Sequence, residues 1–369
     1  MLLTAFRAER FRNLGDIDLA LPAGMTVVGG GNGQGKTGLL EGMYLLGTGR
    51  SFRTRRWDDL PAWDGGPAKV AGRVEGRRGN VELAVRVEGR ERTLLVNGAA
   101  RGQEAYLGRL DVVDLTEGRM DVLRGGPAER RRFLDRGIAG LFASHLRTMR
   151  EYRLVLQQRN ALLRGGAGGP SGSLQLDSWD ERMVAAARPL HLARRAYAER
   201  LAGEVAGIGP ELLPDGAAPR LEYRPSPPEL REAADDRAEA ILAERLARCR
   251  ERDREHGHTT EGPHRDDLRV ELREVDLRRF GSAGQVRAAM IALKLGKLSL
   301  LQEEREEAPL FLLDDFDTDL DDRRMEALAG HLNEAGFQTV AATSKEDVIA
   351  RMGGAAMKLH MDGGAARTS

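Results

Sequence analysis

Residues 24–29, Gly-Met-Thr-Val-Val-Gly, are a short apolar run of the length that fits a buried strand. A glycine-rich stretch follows, and then Gly38–Leu46 carries apolar residues at helical spacing. Val81, Leu83, Val85 and Val87 alternate with polar residues, the mark of a half-buried strand. Turn residues at 77–80, 88–89 and 97–98 flank it and predict an antiparallel meander.

Near residue 118 the period changes. Ile138, Leu141, Phe142, His145, Leu146, Met149, Tyr152 and Leu156 make one stripe, predicting one long helix. Trp179, Met183, Ala187, Leu190, Tyr197 and Leu201 make a second stripe, beyond a flexible Gly-rich link at 164–173. Together they predict an antiparallel helical hairpin, with Pro189 kinking the second helix or starting a new one. A charged helix is expected from about Glu229 to Glu255. Beyond 257 strand and turn character returns. Leu268, Val270 and Leu272 alternate, a glycine turn at 281–284 opens an apolar helix from Val286 to Leu301, and Leu310–Leu313 form a continuous apolar strand. The fold class is therefore α/β, with residues 1–117 and 257–369 forming one split domain around a mostly helical insertion, 118–256.

Composition narrows the function. Over 369 residues, Lys+Arg and Asp+Glu both number 57, so total charge does not drive nucleic-acid binding; a local basic face remains open. Arginine outnumbers lysine 51 to 6, for which a GC-rich genome is the safer explanation. One cysteine, Cys249, excludes a disulfide framework and a multi-cysteine zinc site. No apolar run approaches the ~18 residues of a membrane span, and the charged start lacks the apolar core of a signal peptide. The expected location is the cytoplasm, without membrane association.

Gly30-Gly31-Asn32-Gly33-Gln34-Gly35-Lys36-Thr37 fits G-x-x-x-x-G-K-[ST], with a strand before it and a helix after. Glycines let the backbone N–H groups face phosphate oxygens at a helix N-terminus. Lys36 would reach the β- and γ-phosphates, and Thr37 would ligate Mg²⁺. Leu310–Asp315 fits a Walker B element: Asp314 would hold Mg²⁺ and Asp315 would orient the attacking water. Ser282, Gly284 and Gln285 stand at the start of an apolar helix. Ser282 is either an N-cap alone or part of a phosphate-binding helix end, as in the ABC signature motif. Arg50, Arg53, Arg55 and Arg56 cluster after the P-loop helix, with Phe52 and Trp57 interleaved; on pattern alone that is a solvated face. His256, His258 and His264, beside Asp266 and Asp267, fit no compact zinc spacing.

The chain resembles the RecF family of bacterial recombination-mediator ATPases, related to the heads of chromosome-structure-maintenance proteins. The resemblance rests on Phe11-Arg12-Asn13, the P-loop, Leu46–Arg53 (LGTGRSFR), Gly125-Gly126-Pro127, Gln158-Arg159-Asn160, Gly262–Asp267 (GPHRDD), Gly281–Gln285, and Asp314-Asp315-Phe316 with Leu320-Asp321. It implies an ABC-type P-loop ATPase head that binds ATP and Mg²⁺, forms a homodimer around ATP and binds DNA. With RecR and RecO it would help load the RecA recombinase onto gapped DNA. ATP would lie between Lys36 and Thr37 of one subunit and Ser282 and Gly284 of the other. Arg12 and Asn13 would lie near adenosine, and Asp321 near the partner's nucleotide. The resemblance also turns Arg53, Arg55 and Arg56 into expected DNA-phosphate contacts. Asp315 replaces the Glu of most ABC ATPases, no Gln stands at Thr116-Glu117-Gly118, and no His at Thr343-Ser344. Slow hydrolysis is therefore expected. Rival readings are the head of a chromosome-organising complex, for which the insertion is too short, and an ABC transporter ATPase subunit. A small-molecule P-loop kinase would leave 281–285 without a role.

Overall fold

The apolar run at 24–29 forms strand β3 (Met25–Gly29), buried at all five positions. In this computed structural model all residues are described except 64, 78, 117–120, 166–168, 209–211, 214–215, 316–321, 346–347, 349–353 and 369. β3 lies inside a six-stranded sheet with β8 (Val112–Leu115), β12 (Leu310–Asp314), β13 (Gln338–Ala342), β14 (Met357–Asp362) and β15 (Ala365–Thr368). The order is β15-β14-β3-β13-β12-β8, parallel throughout except for the final hairpin. Strands covered on both faces lose alternation, which is why β3, β12 and β13 are buried at every position and β12 reads as a continuous apolar run up to Asp314.

The expected meander is a second, antiparallel sheet. Its strands are β1 (Leu2–Glu9), β2 (Ile17–Ala20), β4 (Ala68–Glu75), β5 (Val81–Glu88), β6 (Glu91–Val96) and β7 (Ala99–Ala100), in the order β2-β1-β4-β5-β6-β7. Helix α1 (Lys36–Thr48) packs on strands of both sheets and is apolar on nearly every side. Leu39, Leu40, Met43, Leu45 and Leu46 are at most 1% exposed, joining Phe6, Val70 and Leu312 in one core. The approach is close: a Cβ on Gly47 would sit 2.2 Å from Val112 Cγ2. Buried Gln338 joins the sheets, accepting from Leu3 N (2.9 Å) and donating to the carbonyls of Leu3 (2.9 Å) and Pro22 (3.0 Å). Short α2 (Gln103–Tyr106), α9 (Ala283–Arg305) and α10 (Asp322–Glu334) complete this unit, which comprises residues 1–120, 207–218 and 282–369.

The second unit comprises residues 121–206 and 219–281. It holds α3 (Asp121–Arg124), α4 (Pro127–Leu141), α5 (His145–Arg164), α6 (Gly169–Ala206), α7 (Ala238–His256) and α8 (Leu277–Phe280). It also holds a sheet of order β11-β10-β9, made of β9 (Arg220–Arg224), β10 (Asp267–Leu272) and β11 (Val275–Asp276). This sheet moves a boundary: 257–281 was expected with the C-terminal part of the head, but β10 pairs with β9 and falls in this unit.

Helix expectations also change. The stripe from Ile138 to Leu156 is split between α4 and α5 at Phe142, whose backbone is extended (φ −129°, ψ 97°). Pro189 neither ends α6 nor starts a new helix. An interior proline costs about 3 kcal/mol, and packing of α6 against α4, α5, α7 and β9 offsets that. The charged helix starts only at Ala238, after single 3₁₀ turns at 228–230 and 235–237.

Buried arginines order this unit. Arg159 is 0% exposed and donates to Asp180 (2.6 Å), Asp253 (2.7 Å) and Thr259 (2.8 Å). Arg194 grips Asp135 with two hydrogen bonds of 2.8 Å and reaches Asp266 at 2.9 Å. The QRN and GPHRDD stretches thus contribute buried pairs. His264 meets the Tyr152 hydroxyl at 2.7 Å, and burial pulls its pKa down to about 4. His256 and His258 bond the carbonyls of Arg252 and His256.

Candidate nucleotide-binding site

Residues 30–35 link β3 to α1 at the carboxyl ends of the parallel strands, where ligands of open α/β sheets bind. Two glycines are dictated by geometry. Gly30 has φ 139° and a Cβ there would lie 2.4 Å from Met361 O; Gly35 has φ 105° and forms the left-handed N-cap of α1. The first turn of α1 holds no acidic residue, so its N–H groups keep their positive end free of an internal anion. Lys36 is 6% exposed, and its Nζ donates to the carbonyls of Gly30 (2.7 Å) and Gly31 (2.9 Å), bending over the loop. Gly31, Asn32 and Gly33 are exposed.

The loop is clasped from both sides. Asn13 Nδ2 donates to Gly33 O at 2.9 Å, while Gly364 N and Gly363 N donate to Gln34 O (3.1 Å) and Oε1 (2.6 Å). The second clasp is the β14–β15 turn, whose role the sequence did not reveal.

Thr37 Oγ1 donates to Asp314 Oδ1 at 3.3 Å, bringing the P-loop and the Walker B strand together across β13. Burial pushes the Asp314 carboxyl up to about 6; the Thr37 hydrogen bond opposes this, neighbouring Asp315 adds to it, and Lys36 and Arg53 oppose it. A carboxylate that buried, beside a second one and a hydroxyl, is an all-oxygen donor set short of positive charge, which suits Mg²⁺. Asp315 turns out of the strand in a left-handed conformation (φ 45°), its N–H bonded to Ala342 O at 3.1 Å. Asp is among the few side chains enriched there.

Arg12 is also left-handed (φ 56°) and held at each of its nitrogens. Its backbone N–H reaches Leu60 O (2.8 Å), Nη1 reaches Asp59 O (2.6 Å), and Nε and Nη2 fork onto Glu41 at 2.9 and 2.7 Å. Glu41 is fully buried and was missed from sequence. Its signal was a lone carboxylate among Leu39, Leu40 and Met43 on an apolar helix. Ser51 Oγ donates to Glu41 as well.

Ser282 is the N-cap of α9: its Oγ accepts from Gln285 N (3.2 Å) and its N–H donates to Gln285 Oε1 (2.9 Å), a complete capping box. Capping uses Oγ as acceptor and leaves the hydroxyl proton available. Ser282 and Gly284 are exposed, and nothing lies within 4 Å of a Cβ built on Gly284. Ser282 and Gln285 therefore bond each other, not Lys36, Thr37 or Asp314. Asp321, Glu117 and Gly118 lie outside the described residues. Thr343 is buried, and its Oγ1 accepts from Lys345 N at 3.0 Å.

Arg55 is exposed and pairs with no acidic group among the described residues, whereas Arg56, 73% exposed, pairs with Asp58 at 3.0 Å. Arg53 is half exposed, 3.8 Å from Glu41. The interleaved aromatics face inward: Phe52 stands edge-on to Tyr44 (5.5 Å), and Arg92 stacks on Trp57 (4.9 Å).

The family described as RecF/RecN/SMC N terminal domain matches residues 2–366. The DNA replication and repair protein RecF of Myxococcus xanthus is 36% identical over 356 residues, covering 95% of this chain and 92% of that protein. That of Gloeobacter violaceus is 36% identical over 354 residues, covering 93% and 92%. A solved structure of the recombination mediator protein RecF with ATP, in the RecFOR pathway, superposes with a TM-score of 0.89 at 27% identity, covering 100% of this chain and 97% of that one. The Smc head domain of Pyrococcus furiosus, at 16% identity and a TM-score of 0.59, shares the fold.

Proposed function

The chain belongs to the RecF family, a branch of the RecF/RecN/SMC proteins, and we propose that it is an ATP-gated DNA-binding dimer of recombinational repair in the cytoplasm. The observation that supports this best is the contact of Thr37 with Asp314 beside the Lys36 loop, together with a signature helix end whose Ser282 and Gly284 are exposed to solvent. One P-loop and one exposed signature per chain suit a site completed by a second copy.

Lys36 exchanges its two loop carbonyls for the β- and γ-phosphates, and Thr37 and Asp314 hold Mg²⁺. Asp315 orients the attacking water. Arg12 and Asn13 border the adenosine, and Asp321 belongs near the partner's nucleotide. Bound ATP supplies a terminal phosphate that links Lys36 of one subunit to Ser282, Gly284 and Gln285 of the next. Hydrolysis removes that link, so the dimer opens on a timer. Asp315, one methylene shorter than Glu, makes the timer slow. RecR, RecO and RecA are the proposed partners in the pathway, and the second unit, residues 121–206 and 219–281, is the accessory arm. Among the described residues no helix is long and apolar enough to cross a membrane.

DNA phosphates would be met by Arg53, Arg55 and Arg56. Because Arg56 already has a carboxylate partner and Arg55 has none among the described residues, Arg55→Ala is expected to lower the salt slope of DNA binding by about one counterion, and Arg56→Ala by less. Titrating a labelled gapped duplex with ATP over a range of salt measures both slopes. A wild-type affinity that ignores ATP, or a slope unmoved by Arg55→Ala, would count against the reading.

A further inference from the structure

We propose that Glu41 is a positioning residue that couples the nucleotide site to the arginine loop at 51–60. The proposal rests on the reading that this loop meets DNA and that the P-loop binds ATP. A buried carboxylate left without partners is strongly unfavourable, so the partners of Glu41 decide what it does. They come from two places at once. Oε1 accepts from Arg12 Nη2 (2.7 Å) and Ser51 Oγ (2.5 Å), and Oε2 accepts from Arg12 Nε (2.9 Å), with Arg53 Nη1 at 3.8 Å. Each oxygen is thus shared between the arginine on the adenosine side and the loop that presents the basic side chains.

The loop's conformation depends on the same group. Ser51 Oγ, while donating to Glu41, accepts from the N–H groups of Arg53 (2.9 Å) and Thr54 (3.0 Å), setting the turn. At its far end Asp59 accepts from Arg12 through its carbonyl (2.6 Å) and from Thr54 Oγ1 through its carboxylate (2.5 Å). Arg12 therefore touches both ends of the loop, once through Glu41 and once directly. Glu41 is one turn beyond Thr37 on α1, so it moves as a unit with the Mg²⁺-binding hydroxyl.

A phosphate that fixes the turn at Arg53 and Thr54 holds Glu41 toward Ser51 and frees Arg12 for nucleotide, so the two ligands favour each other. A nucleotide that engages Arg12 loosens Glu41 toward Ser51 and Arg53. The coupling is reciprocal, and such couplings typically change affinity about 5- to 150-fold.

The test measures the affinity for ATPγS with Mg²⁺, with and without a saturating gapped duplex, in wild type, Glu41→Gln and Ser51→Ala. The expected result is a DNA-dependent affinity ratio of at least about fivefold in wild type that collapses toward one in Glu41→Gln and falls in Ser51→Ala. Ser51→Ala cuts the link from the loop side while leaving the buried Arg12–Glu41 pair intact, so it decides the matter if Glu41→Gln does not fold. A purely structural Glu41 would weaken both affinities together and leave the ratio unchanged, which overturns the proposal. A preserved ratio in Ser51→Ala overturns it too. If wild type itself shows no ratio, the reading of ATP-gated DNA binding fails along with it.

Discussion

Lys36→Ala is expected to bind ATP at least about a hundredfold more weakly than wild type while folding normally. Lys36 Nζ sits inside the loop on two carbonyl oxygens, so it is already placed to donate where phosphate oxygens arrive. Hydrogen bonds to charged groups contribute about 1.5–3 kcal/mol each, and two of them account for a factor of that size. Folding is spared because alanine leaves the loop's own clasps, from Asn13 and from Gly363 and Gly364, untouched. Calorimetric titration with ATP and Mg²⁺, alongside a thermal melt, checks both halves. An affinity within tenfold of wild type would mean that Lys36 does not meet the phosphates.

Asp315→Asn is expected to slow hydrolysis by about 10²- to 10⁴-fold, the range for removing a general base, with ATP affinity little changed. Asp314, not Asp315, carries the contact to Thr37, so Mg²⁺ binding survives the change. Asn also tolerates the left-handed backbone that Asp315 adopts, so the substitution removes charge without forcing the chain to move. Phosphate release and ATP-dependent mass together separate the outcomes: turnover should collapse while the dimer persists. A variant that hydrolyses at the wild-type rate would assign the water to another group.

How much of this was legible in the sequence depended on how local the cause was. The P-loop and the Walker B strand could be read because a loop, a capped helix and a double-covered strand each leave a contiguous pattern. Their meeting through Thr37 and Asp314 follows from the order of the parallel strands, β3-β13-β12. Ser282 illustrates a different case: the capping and phosphate-binding readings looked like rivals, yet the capping box fixes the very helix end that a phosphate would use.

What was missed is long-range. The β14–β15 turn touches Gln34 only because β14 pairs with β3, more than three hundred residues away in sequence. Glu41 gives no local sign of which arginines it meets, since Arg12 and Arg53 lie on opposite sides of it in the chain. The boundary at 257 failed for the same reason: alternation revealed β10 as a strand, but not that its neighbour is β9. Pro189 does not start a new helix because its local cost is outweighed by contacts along α6.

The central claim is that ATP joins two copies of this chain through Lys36 of one and Ser282 of the other. Light scattering of wild type and Ser282→Arg, each with ATP and Mg²⁺ and with or without a gapped duplex, tests it most directly. Wild type should double its mass with ATP, while Ser282→Arg should bind ATP as a monomer and lose ATP-dependent DNA binding. If wild type keeps the mass of one chain under every condition, or if Ser282→Arg dimerises as readily as wild type, the composite site is contradicted.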